Sequence, residues 1–254
     1  MFRELADLPW ASLMLGAAPL PALPPENVQC NWCGNSGVAL AHQSADFYRL
    51  LKESYARHAR KPLSASTILD FGCGWGRLTR LFAKDLPPGQ IFGCDPDGSI
   101  LEWCREVPGT FRQSETRLRS LPFEERFDLA FAFSVFTHLG PKTLESALNA
   151  LHGSLESDGL LIATIRPRAF IEVRAADLAT LPADAIEGML AGYDSGEYIY
   201  HPYNLPAVEG EVPYGETVIP AAYIEQNWTD RFEILEQANY PSDPYQLSLV
   251  MRRK

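Results

Sequence analysis

The sequence predicts an α/β fold built on a mostly parallel sheet of seven strands, and three observations lead to this prediction. Short apolar strands alternate with helix-length segments from residue 67 to residue 165. A glycine-rich turn directly follows the first of these strands. Two more strands, 232–238 and 246–251, end the chain with no helix between them. Alternating strands and helices build a parallel sheet, whereas strands joined by a short connection pair antiparallel, so the last strand should run antiparallel.

Apolar residues locate each element of the alternating region. Strands are predicted at 67–71, 91–95, 110–113, 127–133 and 160–165. Between them, apolar residues recur at a spacing of three and four, which is typical of helices that pack one face against a sheet. The residues of these stripes are Leu78, Leu81, Phe82 and Leu86, then Ile100, Leu101, Trp103, Cys104 and Val107, and finally Leu144, Leu148, Leu151 and Leu155. We therefore expect helices on both faces of the sheet.

The two ends of the alternating region break this rhythm. Residues 1–40 are interrupted by proline and glycine and are predicted to be irregular. The stretch 44–59 has helical spacing, with Ser44 as its N-cap. Residues 166–220 are rich in tyrosine, proline and glycine, and we expect them to form an inserted cap. The predicted division is an N-terminal arm and helix, 1–60, and one domain with that cap, 61–254.

Composition limits the class of protein. The formal net charge is −10, with 22 lysines and arginines against 32 aspartates and glutamates, which argues against a nucleic-acid partner. No stretch approaches the roughly 20 apolar residues of a membrane helix. The uncharged stretch 8–25 contains five prolines, which argues against a signal peptide. We expect a cytoplasmic protein with no membrane partner; its oligomeric state stays open.

The cysteines point to reduced thiols. Their number is five, an odd count that does not suit a disulfide framework. Cys30 and Cys33 form a C-x-x-C pair, but apart from His42 no further zinc ligand follows nearby. We therefore predict no metal site.

The glycine-rich turn is the most informative motif. It reads Asp70-Phe71-Gly72-Cys73-Gly74-Trp75-Gly76-Arg77 and joins a strand to a predicted helix. Glycines allow positive φ angles and let the backbone approach a ligand closely. A dinucleotide fingerprint would need a third glycine where Arg77 stands, and a Walker loop would need a following G-K-[ST]. Neither pattern is present.

A second indication of a cofactor site is an acidic residue at the end of the next predicted strand. Asp95 follows Gly74 by 21 residues. A carboxylate at this distance reaches the ribose hydroxyls of an adenosine cofactor. The alternative is that Asp95 only caps the following helix.

These motifs resemble those of the class I methyltransferases that depend on S-adenosylmethionine (SAM). Residues 64–166 are similar to the SAM-binding core of that family, and 232–251 to its sixth and seventh strands. The segments ILDFGCGWGRLTR, SVFTHL and GEYIYHP, with the later YGETVIPAAYIEQNW, also resemble a bacterial small-molecule and glycan-type subgroup. The resemblance implies a Rossmann-like fold, SAM as the cofactor and methyl transfer as the activity.

The resemblance also implies positions for the cofactor. Asp97 should lie beside the adenine, whereas 117–121 departs from the acidic pattern usual in the family. Residues 31–34 and the pair Phe47-Tyr48 are hypothesised to fold over the cofactor as a lid. The predicted cofactor-binding residues are Asp70, Phe71, Gly72, Cys73, Gly74, Arg77, Asp95, Pro96, Ser134, Val135 and Phe136.

The acceptor side is predicted from chain position. His138 follows the fourth strand and is the first candidate for a general base, with His201 in reserve. If the acceptor is an amine or arrives ionised, alignment alone suffices. The predicted substrate-binding residues are Arg166, Tyr200, Tyr214 and Glu216. We expect methyl transfer to a small molecule such as a sugar or another hydroxyl compound; the alternatives are an NAD-dependent oxidoreductase or epimerase and a non-catalytic SAM-binding protein.

Overall fold

The computed structural model describes four stretches of the chain, residues 6–16, 23–177, 183–240 and 242–254. Its strands are β1 (Ile68–Phe71), β2 (Ile91–Asp95), β3 (Thr110–Gln113), β4 (Phe127–Ala132), β5 (Leu155–Ile165), β6 (Ile199–Pro202), β7 (Gly215–Val218), β8 (Phe232–Asn239) and β9 (Leu247–Arg253). Its α-helices are α1 (Asp7–Gly16), α2 (Glu26–Cys33), α3 (Gly37–His58), α4 (Gly98–Leu101), α5 (Pro141–Ser154), α6 (Ala169–Asp177), α7 (Ala183–Asp194) and α8 (Ala221–Asn227).

The central sheet has seven strands in the order β3-β2-β1-β4-β5-β9-β8. Strands β1 to β5 pair in parallel, whereas β9 is antiparallel to both β5 and β8. The predicted seven-stranded sheet with an antiparallel last strand is therefore confirmed. Because β1 lies between β2 and β4, the strand order reverses there, and ligands bind in the crevice beyond the carboxyl ends at such a point.

Helices cover both faces of the sheet, as predicted. On one face, Leu144 and Leu148 of α5 belong to the same apolar cluster as Leu69. On the other face, Phe47 of α3 belongs to the same cluster as Ile68. Ile68 and Leu69 are neighbours in β1, so their side chains point to opposite faces. Both are fully buried, which requires cover on each side.

The irregular structure expected for residues 1–40 is wrong for the part that the structure describes. Helices α1 and α2 lie in this region, and α3 begins before Ser44. Ser44 is an interior helical residue, and its hydroxyl donates to the carbonyl of Leu40 (2.6 Å). Trp10 of α1 is buried, and its indole N–H donates to the carbonyl of Leu81 (2.7 Å). Tertiary packing thus stabilises helices that prolines and glycines obscure in the sequence.

The helix predicted after the glycine turn is a short 3₁₀ helix, Thr79–Lys84. The side chain of Arg80 is buried here, and its Nε donates to the carbonyl of Gly76 (3.1 Å). The next predicted helix is also short, because α4 passes directly into a 3₁₀ helix, Glu102–Cys104. The apolar stripe is nevertheless buried as predicted at Leu78, Leu81, Phe82 and Leu86.

Residues 166–220, the predicted cap, contain α6, α7 and the hairpin β6–β7, which forms a separate two-stranded sheet. Residues 178–182 of the cap lie outside the described part. The N–H of Gly215 donates to the carbonyl of His138 (2.8 Å), and the N–H of Thr217 donates to that of Thr137 (2.9 Å). These bonds hold β7 against the segment that follows β4, so the cap borders the carboxyl ends of the strands.

Among the described residues, no helix combines the length and the apolar character needed to cross a membrane.

Candidate active site

A cavity of about 1080 Å³ opens at the carboxyl ends of the strands. It brings together residues from the glycine turn, from the ends of β2 and β4, and from the cap. The predicted site residues that line it are Asp70, Phe71, Gly72, Cys73, Gly74, Arg77, Asp95, Pro96, Ser134, Val135, His138, Arg166 and Tyr214. Most of the positions chosen from the sequence therefore meet in one place.

The glycine turn is held by its neighbour strand. The backbone N–H groups of Gly72 and Cys73 both donate to the carbonyl of Cys94 (2.8 and 3.0 Å). Gly72 has a φ of +75°, and a Cβ at this position would lie 2.5 Å from Cγ2 of Val135. Any larger residue would collide with the cavity wall, so the turn requires glycine here.

Asp95 closes β2 and lies almost fully buried beside the turn. One carboxylate oxygen accepts from the N–H of Gly74 (2.9 Å) and the other from the N–H of Asp97 (3.0 Å). Burial raises the pKa of Asp95 to about 6, although these hydrogen bonds oppose the shift. Asp97, rather than Asp95, caps α4, because its side chain accepts from the N–H of Ser99. The helix-capping alternative for Asp95 is therefore wrong.

Asp70 lies beneath the turn at the end of β1. Its carboxylate accepts from the hydroxyl of Thr79 (2.5 Å), and burial raises its pKa to about 7. Arg77 also lines the cavity, where its guanidinium donates to Oε1 of Gln43 (2.8 Å). Like Asp95, Asp70 is therefore a buried carboxylate with a pKa close to neutral pH.

Beyond β4 the chain turns sharply. Ser134 has a φ of +57°, a conformation that a residue with a Cβ seldom adopts. Its N–H donates to the hydroxyl of Thr164 on the neighbouring strand (2.7 Å). The turn exposes Ser134 and Val135 to the cavity but buries Phe136, which packs edge-on against Trp228. The prediction that Phe136 contacts the cofactor is wrong, because its ring belongs to the core.

His138 has hydrogen-bond partners at both ring nitrogens. Nδ1 lies 3.1 Å from the carbonyl of Gly215 and 2.9 Å from the hydroxyl of Tyr203. Nε2 lies 3.3 Å from a guanidinium nitrogen of Arg166. A carbonyl cannot donate and a guanidinium cannot accept, so both contacts assign the proton to Nδ1 and the lone pair to Nε2. These contacts fit the tautomer protonated at Nδ1, in which the lone pair of Nε2 faces Arg166.

Arg166 joins the end of β5 to the cap through an ion pair with Glu216 of β7. Both side chains are largely buried, and Glu216 also accepts from the hydroxyl of Tyr203 (2.9 Å). Glu216 does not line the cavity, so its predicted direct contact with substrate is wrong. Its carboxylate neutralises Arg166 instead. We call the four residues Arg166, Glu216, Tyr203 and His138 the cap cluster.

Two other predicted residues lie away from the cavity. The hydroxyl of Tyr200 donates to the carbonyl of Val212 (2.6 Å), a bond within the cap. His201 stands opposite Glu216 in the β6–β7 hairpin and does not line the cavity. Alternate residues of a strand point to opposite faces, so neighbours in sequence need not share a site. Contrary to the prediction, His201 and Tyr200 therefore do not line this cavity.

Some cavity residues were missed or misplaced by sequence reasoning. Ser114, Glu115 and Thr116 follow β3 directly and line the cavity, whereas the expected segment was 117–121. Arg117 forms ion pairs with Glu209 and Glu211 instead. The end of β3 was the available signal, since ligand contacts begin immediately after a strand. Other lining residues that the sequence did not single out include Gln43, Phe133, Thr143, Leu205, Asp243 and Gln246.

Of the two segments hypothesised to form a lid, only residues 31–34 line the cavity. Cys30, Trp32 and Gly34 on or next to α2 line the cavity, whereas Phe47 and Tyr48 are fully buried under the sheet. The lid role suggested for Phe47 and Tyr48 is therefore wrong. Cys30 and Cys33 are free thiols. Within the described ranges, no group of three or more histidine, cysteine, aspartate or glutamate side chains is arranged to hold a metal ion.

The residues at the turn fit SAM, which carries an ammonium and a sulfonium. Burial raises the pKa of both Asp70 and Asp95, which shows that negative charge is poorly solvated there. A cationic ligand would offset that penalty. Gly72 and Gly74, both with positive φ, line the cavity and place no side chain in it.

Comparison with known proteins agrees with this geometry. Residues 68–159 match the model of a family described as a methyltransferase domain. A probable fatty acid methyltransferase of Pseudomonas putida is 26% identical over 153 residues, which are 58% of this chain and 34% of that protein. A malonyl-[acyl-carrier protein] O-methyltransferase of Acetivibrio thermocellus is 32% identical over 99 residues, 37% of this chain and 33% of that protein. The matched region thus spans about a third of the length of either relative.

A solved structure shares the fold. The S-adenosylmethionine-dependent methyltransferase of Clostridium acetobutylicum is similar with a TM-score of 0.53 at 11% identity, covering 81% of this chain and 92% of that one. The matched region 68–159 contains the glycine turn, Asp95 and the end of β4. The resemblance inferred from the sequence is confirmed to this extent: residues 68–159 match a methyltransferase domain, and the chain shares its fold with a SAM-dependent methyltransferase of known structure.

Proposed function

We propose that this protein is an enzyme that moves a methyl group from SAM to a small molecule bound between the strand ends and the cap. One observation carries the proposal: a single cavity contains both the glycine turn with Asp95 and, at its cap side, His138, Arg166 and Tyr214. Its volume of about 1080 Å³ lies just above the usual range for ligand pockets, roughly 300–1,000 Å³, which leaves room for two ligands. SAM, when bound, supplies a methyl group activated by its positive sulfonium.

The residues of the turn would hold the cofactor. Two backbone N–H groups fix the position of the Asp95 carboxylate at the edge of the cavity. Its remaining lone pairs would accept from the ribose hydroxyls. Asp70 offers negative charge to the cationic part of SAM. Pro96 and Asp97 on one side and Glu115 on the other would flank the adenine.

The acceptor side combines aromatic and polar groups. Tyr203, Tyr214 and Leu205 line the cavity together with His138 and Arg166. Aromatic faces beside a few hydrogen-bonding groups suit a sugar or another hydroxyl compound. The curated relatives are named for fatty acid and malonyl-acyl-carrier-protein methylation, which supports a small or carrier-bound acceptor rather than a polymer.

His138 is the proposed base if the acceptor is a hydroxyl. Its lone pair is at Nε2, and the contact with Arg166 there is long, 3.3 Å, so an acceptor hydroxyl could replace it. A positioned base contributes about 10²–10⁴-fold to a rate. An amine or an already ionised acceptor would need alignment only, and then His138 would serve to connect the cap to the strand ends.

The test is binding followed by turnover. We expect calorimetry of the pure protein, with SAM and NAD in separate titrations, to show that SAM binds and NAD does not. NAD binding without SAM binding would favour the oxidoreductase or epimerase instead. The protein is then incubated with SAM and fractionated bacterial metabolites, and mass spectrometry should find a product one methyl group heavier. Tight SAM binding with no methylated product in any fraction would favour a non-catalytic SAM-binding protein.

A further inference from the structure

Helix α2 is anchored on one side and faces the cavity on the other. Val28 and Cys33 pack against an apolar cluster that includes Leu40 and Trp75. The helix ends at Gly34, which has a φ of +73° and whose N–H donates to the carbonyl of Cys30 (2.8 Å). Such a left-handed cap stops the helix at a defined residue. The position of α2 beside the glycine turn is therefore specified by its own packing and cap.

Trp32 is the residue that α2 presents to the turn. Its ring carbons Cε3 and Cζ3 lie 3.2 and 3.5 Å from the position that a Cβ on Gly74 would occupy. Trp32 lines the cavity, yet it is 44% exposed. A tryptophan side chain exposed to this degree in the wall of a cavity is available to a ligand.

The charge around Trp32 indicates what kind of ligand it meets. Asp70 and Asp95 lie in the same cavity, so a cation is favoured there. The face of a tryptophan ring attracts cations through its quadrupole, more strongly than tyrosine or phenylalanine does. The resemblance to SAM-dependent methyltransferases implies that Gly72 and Gly74 approach the methionine part of SAM, which carries both of its positive charges.

We propose that Trp32 recognises the sulfonium cation of SAM, covering the methionine part and favouring SAM over the uncharged thioether of S-adenosylhomocysteine (SAH). This inference rests on the proposed function, because it presumes that the cavity binds SAM. Its consequence is directional. Methyl transfer removes the positive charge, so the contact with Trp32 contributes less to the binding of SAH than to that of SAM.

The experiment compares affinities for SAM and SAH in three variants, by calorimetry at pH 7.5. Trp32→Leu keeps an apolar side chain but removes the ring, and Trp32→Phe keeps a smaller ring. Val38→Ala is the matched control, because Val38 is a 75% exposed apolar residue of the same N-terminal region that does not line the cavity. Circular dichroism and melting temperature verify that each variant is folded.

Trp32→Leu should weaken SAM about 5- to 30-fold and SAH by less than about threefold. Trp32→Phe should fall between it and the wild type, and Val38→Ala should match the wild type. Equal losses for SAM and SAH would overturn the inference, since they would show packing without recognition of charge; so would unchanged affinity for both. In these cases the wild type still binds SAM and the proposed function stands. A wild type that binds neither ligand would overturn the proposed function and this inference together.

Discussion

Acidification should weaken SAM binding steeply, because two carboxylates in the site titrate near neutrality. Burial raises the pKa of Asp70 to about 7 and that of Asp95 to about 6. A protonated carboxyl no longer attracts a cation and is a poorer acceptor for ribose hydroxyls. SAM should therefore bind the form in which both groups are ionised, and its affinity should fall as the pH drops through these values.

The magnitude follows from the two pKa values. Between pH 7.5 and pH 5.5, the ionised fraction of Asp70 falls about 25-fold and that of Asp95 about fourfold. The product is a loss of about 100-fold in affinity, or roughly 2.7 kcal/mol. Calorimetry with SAM at half-unit steps from pH 5.5 to pH 7.5, in two buffers of different ionisation enthalpy, gives the affinity and the number of protons released.

Asp70→Asn is the matched variant for this prediction. The amide oxygen can still accept from the Thr79 hydroxyl, but it carries no charge. SAM binding should be weaker at pH 7.5, and the remaining pH dependence should be that of Asp95 alone, about fourfold. An affinity of the wild type that changes less than about threefold over this range would refute the assignment of Asp70 and Asp95 to the cofactor.

The same shifts make a prediction for the protein without ligand. A carboxyl whose pKa is raised by folding stabilises the fold below the unfolded value of about 4, and this contribution is lost as the pH rises through the folded value. The window for Asp70 therefore runs from about pH 4 to about pH 7. Above it, Asp70→Asn should unfold in urea at a higher midpoint than the wild type. An equal or lower midpoint at pH 8 would contradict the burial argument.

Three further substitutions test the site. Asp95→Ala should weaken SAM about ten- to hundredfold, the equivalent of roughly 1.5–3 kcal/mol for hydrogen bonds to a charged group; unchanged affinity by calorimetry would remove Asp95 from the site. Gly72→Ala should lower the free energy of unfolding by about 1–3 kcal/mol and impair SAM binding, because its Cβ would collide with Val135, whereas Gly153→Ala, with nothing within 4 Å, should do neither. His138→Ala should lower kcat at least about 100-fold, with SAM affinity retained, on a hydroxyl acceptor identified by the metabolite screen; a kcat within a few-fold of wild type would reject His138 as the base.

Local pattern was sufficient for the sheet and for the glycine turn with Asp95 beside it. Parallel strands buried on both faces must be short and apolar, so β1, β2 and β4 are visible as runs in the sequence. The glycine turn is visible for a similar reason, since Gly72 and Gly74 need positive φ angles that other residues seldom adopt. Asp95 follows because the end of the neighbouring parallel strand lies beside that turn.

The sequence by itself therefore determined the sheet, the glycine turn and the position of Asp95, because each depends on backbone geometry within or between adjacent elements. Only the tertiary structure showed that Trp32 lies beside Gly74, that Phe136 and Glu216 do not line the cavity, and that Arg166 is neutralised within the cap cluster. These contacts join residues far apart in the chain. Their distances depend on how helices and the cap pack against the sheet, which no local period in the sequence records.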